Sequence, residues 1–256
     1  MTVLCDLDGV VYLGGHVLPG ASEALARLAD AGVRTMFITN NSTRTPEMAA
    51  DKISSLTGVD VAPDDIVSSS LATVGLLEPS DSPVLVLGED GVFDAVARAG
   101  LTTTTSGEEA GSVVVGLTRS FSYQMLSEAM TALLSGARFI ATNDDSTFPA
   151  ETGPMPGAGA IVAALEKATG LVPVVAGKPH APMRDLIRSK GVTTAWVIGD
   201  RLDTDIALAS TEDDWRSILV LTGVAEAADV GEFRPDHVVA DLAGAVDVVL
   251  GGGQRS

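Results

Sequence analysis

The stretch "VLCDLDGVVY", residues 3–12, runs as an apolar strand into two carboxylates, Asp6 and Asp8, and breaks at Gly9. A strand sends residues i and i+2 to the same side, so the two acids share surroundings if the strand continues through them. Like charges that close resist joint ionisation unless a cation compensates. The pair therefore needs either solvent or a purpose. Cys5, one residue earlier, faces the opposite way on the same alternation, which makes it an inert core thiol. As the single cysteine of the chain it can form no intrachain disulfide, and nothing in it suggests an oxidising compartment.

The pattern that starts here recurs along all 256 residues. Short β-branched runs read as strands: "TVLCDL" at the start, "VRTMFITN" ending at Asn40, "PVLVLG" (83–88), "SVVVGL" (112–117) and "ARFIATN" ending at Asn143. They continue with "VPVVAG" ending at Gly177, "AWVIGD" ending at Asp200, "SILVLTG" ending at Gly223 and "HVVADL". Helical patterns fill the gaps, among them "ASEALARLADAG" (21–32) with its closing glycine and "SYQMLSEAMTALLSGA" starting from a Ser122 cap. Such alternation is the mark of βαβ units and a parallel sheet. Two stretches of linker composition, "LEPSDSPV" (77–84) and "TGLVPVV" (169–175), divide the chain into an outer unit of 1–79 plus 173–256 and an insertion of 80–172. The terminal "GGGQRS" reads as unstructured.

Acids outnumber bases 34 to 16, a net charge of −18 spread along the chain. That balance favours solubility and argues against nonspecific binding to nucleic acid or an anionic membrane. No apolar run reaches bilayer length and no basic leader precedes the first strand, so a cytoplasmic location is the default expectation. In so acidic a protein an anionic substrate needs positive charge supplied locally.

The unusual polar residues sit at the ends of outer-unit strands: Asp6 and Asp8, then Thr39, Asn40 and Asn41, then Lys178, then Asp200. Ligands of open parallel sheets bind outside those ends. Three gathered carboxylates, Asp6, Asp8 and Asp200, repel unless a hard divalent cation neutralises them, and all-oxygen ligation suits magnesium. Lys178, the Thr39 hydroxyl and the N–H groups of the "TNN" turn supply donors for a tetrahedral anion. Each motif alone has an ordinary explanation, as a turn, a cap or a solvated acidic loop; their order, each after an apolar strand, is what carries the reading.

"DLDGVVY", "ITNNS", "GKP" and "GDRLDTDI" resemble, in this order, the four motifs of the haloacid dehalogenase superfamily. More narrowly they are similar to its branch of 4-nitrophenyl phosphate, pyridoxal phosphate, phosphoglycolate and glycerol-3-phosphate phosphatases. The resemblance implies an α/β fold with a Rossmann-like parallel core and an α/β cap inserted between the second and third motifs. It implies that Asp6 is a nucleophile forming an aspartyl-phosphate, and that Asp8 is the general acid and then the base. Thr39, the Asn40 main chain, Asn41 and Lys178 would hold the phosphoryl group. Magnesium would be bound by Asp6, the Asp8 carbonyl and Asp200, and Asp205 would orient water or the lysine. An acid at Asp8 separates phosphate-ester chemistry from the carbon–halogen cleaving members, which lack one, and from the ion pumps, which carry threonine. A phosphomutase on the same intermediate and a noncatalytic phosphometabolite sensor remain the alternatives.

The loop "ATNDDSTFPAETGPMPGAG" (141–159) is the polar, glycine-rich part of the insertion, and the resemblance turns it toward the site. Phe148 is the candidate substrate contact there, with packing inside the cap as the equal alternative. "PGAGA" (156–160) lacks the ending of a phosphate-binding P-loop and reads as a helix start. Arg44 and Arg201 adjoin motifs, where contact with a substrate anion is the alternative, yet in so acidic a protein surface ion pairs are the expectation for both. His16 and His237 read as structural, and His180 lies two residues past Lys178 without a decided role. One departure from the family is "ALASTEDDWRSILVL" (207–221), acidic and tryptophan-bearing where relatives are small and glycine-containing. The sequence leaves the oligomeric state open, a homodimer through the cap being what the resemblance to the branch suggests.

Overall fold

The structure is a computed structural model that describes residues 1–150, 153–224 and 232–251. Its larger sheet has six strands in the order His237–Val239, Trp215–Val220, Ala195–Gly199, Thr2–Asp6, Arg34–Thr39, Ile66–Ser68, and every neighbouring pair is parallel. Thr2–Asp6 is interior and buried at every residue because helices cover both faces, which is why it reads as an unbroken apolar run. On one face Val3 and Cys5 pack with helices Ala21–Asp30, Pro46–Thr57 and Leu242–Gly251. On the other Leu4 packs with Ser69–Val74, Ala181–Ser189 and Ala207–Ala209. Cys5 and Asp6 thus point to opposite faces, and burial pushes the Cys5 thiol far up, out of reach of thiolate chemistry.

From the central strand the chain winds outward through Arg34–Thr39 and Ile66–Ser68, then returns to the other side through Ala195–Gly199. The reversal places a crevice above the C-terminal ends of Thr2–Asp6 and Ala195–Gly199.

A second, five-stranded parallel sheet has the order Val174–Val175, Arg138–Ala141, Ser112–Val115, Val84–Leu87, Thr103–Thr104. Helices Tyr123–Leu134 and Ala158–Thr169 pack on one face and Asp90–Arg98 on the other. The Ser122 hydroxyl caps Tyr123–Leu134 through the Met125 N–H at 3.2 Å, as its sequence indicates. "PGAGA" does open a helix, at Ala158.

One strand assignment is corrected. "VPVVAG" belongs to the smaller sheet, where Val174–Val175 pairs with Ile140 and Ala141, and not to the larger one. A two-residue edge strand has no pattern to say which sheet it joins; only its hydrogen bonds do. Ile66–Ser68 and two small hairpins, Tyr12–Leu13 with His16–Val17 and Thr147–Ala150 with Gly153–Pro156, were too short to announce themselves in the sequence.

The acidic segment after residue 206 has a local explanation. Glu212 receives Arg188 and Arg184 from the helix Ala181–Ser189, and Trp215 is buried among Met183 and Ile187 with the Arg188 guanidinium over its ring. The terminal "GGGQRS" beyond Gly251 lies outside the described residues. Among the described residues no helix is long and apolar enough to cross a membrane.

Candidate active site

Asp6 ends the central strand, and a turn closed by the Val10, Val11 and Tyr12 N–H groups on the Leu7 carbonyl then carries Asp8 to the rim. The two acids therefore do not share one strand face. Asp6 is buried, whereas Asp8 is partly exposed and hydrogen bonded by Asn41. Gly9 makes the turn at φ +91, and a Cβ there would stand 2.6 Å from the Asp200 carboxylate. Gly223 approaches the same carboxylate, again too closely for a side chain.

Lys178 is the centre of the charge network. Its buried Nζ donates to Asp6 Oδ1 and Asp205 Oδ1, each at 2.6 Å. Burial works against the ammonium, but the Asp205 and Asp6 carboxylates outweigh it and hold it charged above the ordinary lysine range. Asp205 reaches in from a single π-helical turn, Leu202–Ile206, of the kind frequent at functional sites. Its other oxygen accepts the Arg201 N–H at 3.2 Å.

Lys178 is held in place by Asn40. The Asn40 side chain accepts the Lys178 N–H at 2.7 Å and donates to the Lys178 carbonyl and to Asp145, both at 3.1 Å. The Asn40 carbonyl accepts Ser69 and Asn143, each at 2.7 Å. One residue thus ties the second strand end, the lysine loop and the smaller layer together. Lys178 follows a strand of the smaller sheet, so three ends of the larger sheet and one crossing segment make the site, not four ends.

Three buried carboxylates against one lysine leave the cluster short of positive charge. Oxygens of Asp6, Asp200 and Asp205 lie within 4.8 Å of one another. Burial, reinforced by Asp205, pushes Asp200 up to about 7. Asp200 Oδ2 accepts the Val224 N–H at 2.7 Å, but buried Oδ1 has no partner among the described residues. An orphaned carboxylate oxygen facing other carboxylates is what a hard cation would satisfy, and the all-oxygen set suits magnesium. Asp205 is already engaged through both oxygens, which leaves Asp6 and Asp200 as the better carboxylate ligands. The Asp8 carboxylate is not part of this cluster.

All the sequence-derived candidates, Asp6, Asp8, Thr39, Asn40, Asn41, Phe148, Lys178, Asp200 and Asp205, line one cleft. Phe148 stands on the hairpin strand Thr147–Ala150, partly exposed, with the Arg119 guanidinium 5.9 Å from its ring centre. Arg201 lines the cleft while paired with Asp203 at 2.9 Å. Arg44 corrects its expectation: it has no ion-pair partner among the described residues. His180 contacts Asp144 at 3.2 Å, outside the cleft, and His237 packs on Trp196. Arg119, Asn143 and Asp145 were missed; the last two sit in the polar loop but carry no spacing signal of their own.

A family model described as haloacid dehalogenase-like hydrolase matches residues 3–102, and a second HAD-like hydrolase model matches residues 175–245. The dihydroxyacetone phosphatase of Corynebacterium glutamicum is 35% identical over 263 residues, which span 99% of this chain and 94% of that protein. The chain belongs to the haloacid dehalogenase-like hydrolase family. Among solved structures, the glycerol phosphate phosphatase of Mycobacterium tuberculosis in complex with magnesium superposes with a TM-score of 0.85. It has 36% identity, covering 94% of this chain and 74% of that one. The 4-nitrophenylphosphatase of Thermotoga maritima gives 0.88 at 33% identity, covering 97% of each chain. Membership of this family, with phosphatases as neighbours over nearly the whole length, accords with a site of carboxylates and one lysine above a parallel sheet.

Proposed function

We propose that the protein is a magnesium-dependent phosphatase of small phosphomonoesters that works through an aspartyl-phosphate on Asp6. The observation that carries the reading is the Asp6–Lys178–Asp205 network beside the unsatisfied Asp200 oxygen. Asp6 and Asp200, with the Asp8 carbonyl, would hold the ion. When bound, magnesium would neutralise the carboxylates and the phosphoryl charge.

Thr39, the Asn40 and Asn41 N–H groups and Lys178 hold the phosphoryl oxygens. The Asp6 carboxylate attacks phosphorus as the ester P–O bond breaks, and Asp8 gives its proton to the departing alkoxide. Burial pushes the Asp8 carboxyl up, with Lys52, Asn41 and Arg44 opposing, so a proton is held there more readily than on a surface acid. Asp8 then takes a proton from the water that attacks the aspartyl-phosphate, releasing inorganic phosphate and restoring Asp6. Asp205 acts through Lys178 and positions it. Phe148 would contact the leaving group.

The same reading includes a cytoplasmic location, supported by the lone buried thiol, and a homodimer through the smaller layer. The latter is supported by Tyr123, Met130 and Leu134, exposed on one stripe of one helix.

The test is phosphate release from 4-nitrophenyl phosphate with magnesium and with excess chelator. Multiple turnovers that stop on chelation are expected, and Asp6→Asn should lower kcat by at least about a thousandfold while the circular dichroism spectrum is retained. Ordinary turnover by Asp6→Asn would overturn the assignment of the nucleophile.

A further inference from the structure

A phosphoester held between Asp6 and Lys178, with Asp8 at its bridging oxygen, must send its leaving group past Asp8. Beyond Asp8 the cleft opens into a second cavity of about 700 Å³. Asp8, Asn41, Arg119 and Phe148 line both spaces, so the two are continuous.

The lining of this second cavity runs against the composition of the chain. Acids outnumber bases 34 to 16 overall, yet Asp8 is the one acid among the described residues of this wall, against Arg44, Lys52 and Arg119. Arg119 is neutralised by Glu89 at 2.9 Å. Arg44 and Lys52, both partly buried, have no carboxylate within ion-pair distance among the described residues; the other such cations differ, since Arg34, Lys167 and Arg234 are exposed and Lys190 donates to the Asp64 carbonyl at 2.8 Å. The Lys52 ammonium is held 3.5 Å from the centre of the Tyr12 ring. Burial, aided by the neighbouring Arg44 charge, pulls Lys52 down to about 8 despite Asp8. Two adjacent cations that lose hydration without gaining a counter-ion are costly unless a ligand supplies the charge.

We infer that this cavity is a second-anion subsite: the preferred substrate is a small phosphomonoester whose leaving group carries a carboxylate or a second phosphate, received by Arg44 and Lys52. This rests on the phosphatase reading and narrows it, since a neutral polyol leaving group would leave both cations unanswered. Phe148 and Pro149 line the same space and would flank the carbon chain between the two anions.

The experiment is a ratio of kcat/KM values within one enzyme preparation, so that any misfolded fraction cancels. 3-Phosphoglycerate is compared with glycerol 3-phosphate, which differ in a terminal carboxylate, and fructose 1,6-bisphosphate with fructose 6-phosphate, which differ in a second phosphate. A preference of about 10- to 100-fold for the more anionic member of at least one pair is expected, carried mainly by KM. The pair that shows it says whether the subsite takes a carboxylate or a phosphate. In Arg44→Gln and in Lys52→Gln that ratio should fall by about tenfold. Ratios near one in the unsubstituted enzyme, or ratios untouched by both substitutions, overturn the subsite while 4-nitrophenyl phosphate hydrolysis keeps the phosphatase reading standing. Failure to release phosphate from any ester overturns that reading and the subsite with it.

Discussion

At the scale of single residues, Lys178 shows how far a sequence reading reaches. Its place after "VPVVAG" marked it as a donor for an anion, but its partners became visible only in three dimensions: Asp6 and Asp205, 172 and 27 residues away. Removing one partner of a buried ion network leaves uncompensated charge, a loss of about 3–5 kcal/mol. Lys178→Met should therefore lower stability by that amount in urea unfolding. Adding Asp205→Asn should restore part of it, because the second change removes one of the stranded carboxylates. A Lys178→Met protein with the unfolding midpoint of the parent would show that the lysine is not the charge centre described. Asp6, Asp8 and Asp200 were legible because a carboxylate ending an apolar strand is locally anomalous. Arg44 was misread as a surface ion pair because a missing partner is a fact about surroundings, not about neighbours in the chain.

Among the elements, long strands with apolar runs were readable and two- or three-residue strands were not. Val174–Val175 went to the other sheet, and Ile66–Ser68 at the edge of the larger sheet was missed, because so few residues establish no period. The opposite edge is held by side chains as well as by its ladder. Asp236, just before His237–Val239, accepts the Ser217 N–H at 2.8 Å, the Ser217 hydroxyl at 3.1 Å and Arg216 at 3.2 Å. Partial burial raises this carboxyl, but those donors outweigh it and hold it below the usual aspartate range. A depressed folded value means that the stabilisation is fully present above the unfolded value near about 4 and is lost as pH falls through the folded value. Asp236→Asn should thus cost up to about 1 kcal/mol at neutral pH, an exposed arginine arm being screened, and the difference should fade as the pH is taken down through the folded value. Urea unfolding at neutral and at acidic pH checks this; an equal difference at both would mean that the charge is irrelevant.

For the whole molecule, the layer formed by the smaller sheet offers a stripe that none of the described residues covers. Tyr123, Met130 and Leu134 lie seven and eleven residues apart on one helix, hence on one side, with Tyr123 84% exposed. A second copy would bury this stripe. Sedimentation equilibrium should give twice the chain mass, and Tyr123→Arg should shift the protein toward monomer; a monomer at high concentration before any substitution would dismiss the dimer. Sequence alone was enough for the alternating α/β plan, the acids at strand ends, the inert Cys5 and the helix starts at Ser122 and Ala158, because these are written in periods of two to four residues and in local capping. Tertiary structure alone decided the rest. It determined which sheet Val174–Val175 joined, how Asn40 ties both layers to Lys178, and that Arg44 and Lys52 share a cavity with no carboxylate at ion-pair distance among the described residues. Charge and hydrogen-bond balance depend on what is near in space, and the chain's own order does not encode that distance.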